Sequence, residues 1–323
     1  MNPKRGCSHL LLLVLLSLFP MTGQAQLTSV YTPDQMLSVL GVIVEFENAG
    51  VAGDPMSDWE SITGGAVALE TSDVTIAADQ FRTTITGVPY VEELTLRRPV
   101  PTQGGGVEEW LNEAISGRAQ PRLVRTTSVQ RDGSPGPGID YFDVWPVRYV
   151  FPALDGRDEA RPYESLVVKP TRVENSGGSG TGASSVYDPR LLLTGGFLVD
   201  GLPAGSLGVR SVSIGDLVFE LIDAGGREYR TWSLGRSSVG PVTIDLPAAR
   251  ESGVYQWWEM TLQGRAERRD ITVSLLDNRG EVARTFRFLD CSPIKYDHGD
   301  FTEDSSIRTE TITLSVGRVE FNR

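Results

Sequence analysis

Cysteine and histidine are nearly absent from this chain, with two of each in 323 residues. One of each, Cys7 and His9, falls in the first 25 residues, which read as an export leader. Lys4 and Arg5 precede the apolar run Leu10 to Phe19, and Gly23-Gln24-Ala25 places small residues at the third and first positions before a cleavage point. Cleavage after Ala25 leaves Cys291 and His298 as the sole residues of their kinds. One cysteine excludes an intramolecular disulfide. A structural zinc site of the Cys/His type cannot be assembled within one chain, and a Ser/His/Asp triad would have to use His298. Cys7 precedes the apolar run, so it is not the cysteine at the cleavage point that a lipid anchor requires. Long apolar runs are also missing: nothing after the leader approaches about 18 consecutive apolar residues, so no membrane-spanning helix is expected. Positive charge is scarce as well. Lys plus Arg total 30 against 42 Asp plus Glu, and loss of Lys4 and Arg5 deepens the imbalance. Such a chain is poorly suited to gripping a nucleic acid backbone or an anionic membrane. These absences predict an exported, non-enzymatic protein with no cofactor.

What is present is an ordinary globular balance of 40% hydrophobic and 22% charged residues, which argues against disorder. Many short alternating segments are punctuated by Gly, Pro, Asn and Asp, a sheet-dominated pattern. Val42 to Phe46, Val91 to Leu96, Leu123 to Val129, Leu217 to Ile222, Ile271 to Leu276, Val282 to Phe288 and Thr309 to Val316 all read this way, and Asp277 to Gly280 reads as a tight hairpin turn. Two short helices interrupt the pattern. Gly106 to Ser116 sets Val107, Trp110, Leu111, Ala114 and Ile115 on one face, with Glu108 and Glu109 favouring the start and Gly117 the stop. Val254 to Gln263 sets Val254, Trp257, Trp258, Thr261 and Leu262 on one face before Gly264.

The two helices superimpose, and one offset relates the segments on their C-terminal sides. Adding 147 takes Trp110 to Trp257, Gly117 to Gly264, Arg122 to Arg269, Gly133 to Gly280, and Pro146-Val147-Arg148-Tyr149 to Pro293-Ile294-Lys295-Tyr296. Adding 146 takes Glu164 to Glu310 and Arg172-Val173-Glu174 to Arg318-Val319-Glu320. A tandem duplication is the economical explanation. The expected organisation is a leader over 1–25, a first domain over 26–174, a Gly/Ser-rich linker over 175–186 and a second domain over 187–323.

With these motifs in place, the sequence resembles the tube proteins of contractile phage tails, type VI secretion and related injection systems. The resemblance rests on Leu94-Thr95-Leu96-Arg97-Arg98, Trp110 in a helix closed by Gly117, Trp145-Pro146-Val147-Arg148 and Glu164-Ser165-Leu166-Val167-Val168. The second copy keeps Val242-Thr243-Ile244, Trp257, Gly264, Ser292-Pro293-Ile294-Lys295 and Glu310-Thr311-Ile312-Thr313-Leu314. It implies a mainly β protein: two tandem sandwich or barrel domains of antiparallel strands, each with one short flanking helix. It further implies rings of six domains that stack into a hollow tube, with neighbouring domains extending each other's sheets. An export leader departs from that family, whose tubes assemble in the cytoplasm, and points instead to an extracellular or periplasmic filament. Duplication allows three chains to close a ring, and Ser292 in place of Trp145 makes the two domains unequal.

Individual residues are weighed against plain structural roles. Trp110 and Trp257 are expected to pin the helices on the sheets, with Gly117, Gly264, Pro146 and Pro293 as further structural anchors. Glu164 and Glu310 begin a strand in each copy, where pairing with Arg148 or Lys295 competes with a solvated charge. Asp297, Asp300, Glu303 and Asp304 are weak candidates for a calcium site but lack a calcium-loop spacing. RDGSPGPG over 131–138 is a hairpin tip, without the helix and Lys-Ser/Thr pair of a phosphate loop. The segments 26–34, 50–65 and 224–240 differ most between copies and are expected to contact the next ring, whose stacking divalent cations or salt would modulate. The competing reading is a monomeric secreted binding module on the same fold, for example for a surface polysaccharide.

Overall fold

The computed structural model describes residues 39–47, 59–75, 82–101, 105–130, 134–157, 161–176, 196–203, 208–226, 228–248, 252–277, 279–299 and 308–322. The leader, the arm over 26–34, most of the linker and the residues Asp300, Glu303 and Asp304 lie outside them. The first half runs β1 (Val39–Glu47), β2 (Ser61–Gly64), β3 (Val67–Thr75), β4 (Arg82–Val91), β5 (Leu94–Pro99), α1 (Gly106–Ile115), β6 (Arg122–Gln130), β7 (Pro135–Val150), β8 (Leu154–Asp155), β9 (Tyr163–Lys169) and β10 (Arg172–Ser176). The second runs β11 (Phe197–Asp200), β12 (Ser211–Ile214), β13 (Leu217–Gly225), β14 (Thr231–Val239), β15 (Val242–Pro247), α2 (Gly253–Leu262), β16 (Arg269–Leu276), β17 (Val282–Asp297), β18 (Thr309–Ser315) and β19 (Arg318–Asn322). The protein is mainly β, as its alternation indicates, and every strand pairing described is antiparallel.

Pairing follows the same plan in both halves. One sheet runs β1-β6-β7-β9-β5-β2, and the other runs β11-β16-β17-β18-β15-β12 and ends on β8. β10 joins β7, and β19 joins β17, on the side opposite β6 or β16. The 16-residue strands β7 and β17 do most to shape each half. Each breaks its alternation at an aspartate with positive φ, Asp143 at 50° and Asp290 at 56°. Aspartate tolerates this left-handed conformation better than most residues. The resulting bulge re-aims the strand. In β7, residues before it pair with β6 and β10, Val144 just after it still pairs with β6, and the pairing with β9 starts at Trp145.

The helices are held alike. Trp110 and Trp257 are fully buried, and each indole N–H donates to a carbonyl ten residues on, Gln120 at 3.0 Å and Glu267 at 2.9 Å. The bond removes the cost of burying the indole's one polar group. α1 starts on Glu108, whose carboxylate accepts from the Gly105 N–H at 2.5 Å, and α2 on Ser252, whose hydroxyl accepts from the Tyr255 N–H at 3.2 Å. Gly117 and Gly264 close them at φ 69° and 68°. Open space surrounds both missing Cβ positions, so the left-handed backbone, not a lack of room, calls for glycine there. Asp277 closes the β16–β17 turn as the sequence suggests, accepting from the Arg279 and Glu281 N–H groups at 2.8 and 2.9 Å. β10 continues through Asn175 and Ser176, two residues into the expected linker, because their backbones pair with Ile139 and Gly138 of β7. Residues 39–323 form one compact unit with a single hydrophobic core drawn from both halves.

Candidate functional site

The two halves of the chain meet at a junction of strands. Leu217 and Val218 of β13 pair with Tyr149 and Arg148 on the edge of β7 left open by β9. Val212 and Ser211 of β12 pair with Leu154 and Asp155 of β8. The second half thereby extends the first half's sheet, which satisfies edge N–H and C=O groups otherwise exposed. Beside the strands, the side-chain amide of Asn112 in α1 bonds the Phe321 backbone both ways, donating to its carbonyl at 3.0 Å and accepting from its N–H at 3.2 Å.

Aromatic rings fill the junction's centre. Phe151 stacks on Phe321 with centroids 5.8 Å apart, and meets Phe286 edge-on at 5.3 Å and Tyr149 at 4.9 Å. Against them lies a buried charge cluster. Glu164 accepts from Arg98 Nε at 2.6 Å, from Arg284 at 2.6 Å and from the Tyr149 hydroxyl. Arg284 also reaches Glu108 at 2.7 Å, and Arg98 reaches it at 3.3 Å. All five residues are buried. Two carboxylates against two guanidinia make the cluster neutral with Tyr149 protonated, and only in that state are buried charges tolerated. Burial opposes ionisation of Glu164, but Arg284 and Arg98 outweigh it and hold the carboxyl below its usual range. Burial beside Glu164 drives the Tyr149 hydroxyl well above its usual range, so it donates.

This cluster gives the fold an acid dependence. Glu164 has a lower pKa folded than unfolded, where 4.5 applies. Its contribution is fully present above the unfolded value and is lost as pH falls through the folded one. The urea midpoint is expected to fall below about pH 4.5, and Glu164→Gln to flatten that acid limb. An equally steep limb in the variant would place the acid sensitivity elsewhere.

Several residues anticipated from sequence have other partners. Glu164 does not pair with Arg148, which faces Asp216 at 3.6 Å on the surface. Glu310 does not pair with Lys295. Its oxygens accept from the Ser252 and Tyr296 hydroxyls, each at 2.6 Å. Pro146 and Pro293 sit at matching register shifts against β9 and β18, positions where a missing N–H is harmless. Asp297 is exposed and accepts from the Gly299 N–H at 3.0 Å, and no acidic, His or Cys cluster able to hold a metal occurs among the described residues. The segment 224–240 is largely β14, in a hairpin whose β13 edge joins the first half of the same chain. Sequence reasoning missed Arg98, Arg284 and Phe151, although Arg284 shares an inward face with Phe286 and Phe288, a signal that a charge there needs buried partners. β3 pairs with β4, and a cleft of about 600 Å³ is lined by this hairpin, by β14 and by Lys169 of β9, whose ammonium is 5.4 Å from the Tyr90 ring and 5.3 Å from the Trp232 ring. Among the described residues no helix is long and apolar enough to cross a membrane.

Residues 207–320 match the family model of the T4-like virus tail tube protein gp19, so the tail tube resemblance read from the sequence is borne out over the second half. No curated protein matches the chain in sequence. Similar solved structures include a chain of the extracellular contractile injection system PVC sheath-tube complex, at 24% identity and TM-score 0.35 over 39% of this chain and 87% of that one. They also include a chain of the anti-feeding prophage cap, at 23% identity and TM-score 0.35 over the same shares. Hcp1 from Flavobacterium johnsoniae matches at 15% identity and TM-score 0.24, over 36% of this chain and 93% of that one.

Proposed function

We propose that this chain, with a gp19-type tail tube region over residues 207–320, is an exported structural subunit that builds a tube or filament from stacked rings, outside the cell or in a periplasm. Each chain contributes two tandem tail-tube-like domains, and three chains close a pseudo-sixfold ring. The observation that carries this reading is the sheet-extending junction: β13 completes β7 within the chain, the kind of contact a ring repeats from domain to domain. The role is structural, and the buried groups named above organise packing instead of performing chemistry. Rings of like negative charge repel, so stacking should strengthen with salt or divalent cations.

Negative-stain electron microscopy of the leaderless chain, across protein concentration and salt, tests the reading. Rings of sixfold outline or hollow filaments are expected. Dispersed monomers throughout would overturn it and favour a secreted binding module, for which the cleft between Tyr90, Lys169 and Trp232 offers the aromatic surface a glycan could stack on.

A further inference from the structure

β7 and β13, the paired strands of the internal junction, have counterparts elsewhere in the chain. β17 repeats β7 at an offset of 147: Ser292, Pro293, Lys295 and Tyr296 pair with β18 as Trp145, Pro146, Arg148 and Tyr149 pair with β9. β3 repeats β13 at an offset of 150, down to the register shift after the third residue, at Leu69 and at Phe219. What differs is the covering. Among the described residues, 292–297 pair only with β18, and β3 pairs only with β4. Leu217 and Phe219, which seat β13 on the first half, are each 2% exposed, whereas their counterparts Val67 and Leu69 are 55% and 50% exposed. Ile294 beside the open β17 edge is 54% exposed, and Leu262 at the end of α2 is 68% exposed. Apolar side chains along unpaired strand edges mark a surface that another strand covers.

We infer that the open edge of β17 receives β3 of a second copy, antiparallel, with Val67 opposite Tyr296 and Ala68 opposite Lys295, reproducing between chains the junction seen within one. The partner is a second copy because the chain already shows this pair of surfaces mated, in the register of Leu217 to Tyr149 and Val218 to Arg148. The contact is head to tail, so each chain offers one surface of each kind and assembly continues until it closes.

The two junctions are chemically unequal. The strand pairings that set Arg98 opposite Glu164 set Leu246 opposite Glu310. By the same offsets, Tyr255 stands for Glu108 and Pro137 for Arg284. The junction between chains therefore lacks the buried charge cluster. It closes on strand pairing and apolar contact alone, and the chain persists as a folded unit when assemblies come apart.

This inference rests on the tube reading, and disulfide trapping separates the two. Ala68→Cys and Lys295→Cys are made singly in the leaderless chain, where the remaining Cys291 is buried with its thiol pushed up to about 12 by desolvation and so stays unreactive. Directly paired strand residues lie within disulfide reach. Mixed and mildly oxidised, the two singles should give a dimer containing one chain of each kind, and the double variant a ladder of linked chains. Absence of cross-links in samples that contain filaments would overturn this junction while leaving the tube standing. A fast-migrating monomer of the double variant would overturn it too, since one chain would then cover its own edge. Absence of rings and filaments from the parent protein would overturn both.

Discussion

Arg284→Met is expected to lower the unfolding free energy by about 3–5 kcal/mol, because it strands charge in a place water does not reach. Arg284 and Glu164 are 2% and 1% exposed at the side chain and 2.6 Å apart. Without the guanidinium, Glu164 and Glu108 share Arg98 alone, and the cluster carries one uncompensated negative charge. Methionine fills most of the arginine's volume, so the loss reports electrostatics more than packing. The double variant Arg284→Met/Glu164→Gln restores neutrality: the introduced amide oxygen still accepts from Arg98 and Tyr149, and Glu108 keeps Arg98. It should recover most of the loss, and the coupling between the two sites measures the pair. Acid should narrow the gap between Arg284→Met and wild type, since the Glu164 pKa rises without Arg284 and protonation removes the stranded charge. Urea unfolding at pH 7 and pH 4 decides the matter. A loss below about 1 kcal/mol at pH 7 would be that of a solvated pair and would mean that water enters the junction.

The same cluster marks how far the sequence could be read. The α1 face, the glycine stops and the Asp277 turn are local: each is dictated by residues within a few positions, and all are found where spacing places them. On α2, by contrast, Val254 and Trp257 are buried but Leu262, expected on the same face, is 68% exposed. The repeat offset survives because β7 and β17 carry the same aspartate bulge at Asp143 and Asp290. The partners of Glu164 were not legible from proximity in sequence. Arg148 lies closer along the chain, but it points to the surface and Asp216. Arg98 and Arg284 come from 66 residues before and 120 residues after Glu164. Their signal was register: Arg98 follows Leu94 and Leu96 on a buried face, as Arg284 precedes Phe286 and Phe288. A charge on the inward face of an alternating strand calls for a buried counter-charge, and three such charges in one chain call for each other. The covering of β7 by β13 was not legible at all. Leu217 to Ile222 alternates in the same way whether its neighbour is in the same chain or another.

Phe151→Ala should cost about 3–5 kcal/mol, the cost of opening a cavity where an aromatic ring was enclosed. Phe151 is 4% exposed and touches Tyr149, Phe286, Phe288 and Phe321, so one truncation removes edge-on and stacked contacts from both halves together. Its counterpart at the offset of 147 is His298, which is exposed and packs against Tyr296 at 4.9 Å and Tyr255 at 5.8 Å. His298→Ala in the dispersed chain should change stability by no more than about 0.5 kcal/mol, as for a surface site. The contrast arises from neighbours, since both positions follow the same strand past the same kind of bulge. Phe151 is roofed by Phe286, Phe288 and Phe321 of the second half, while among the described residues the only rings His298 meets are those of Tyr255 and Tyr296. Thermal unfolding of the two variants in dilute solution measures both. A loss at His298 comparable to that at Phe151 would show that its roof is already present in the isolated chain, and the edge beside it would then be closed to a second copy.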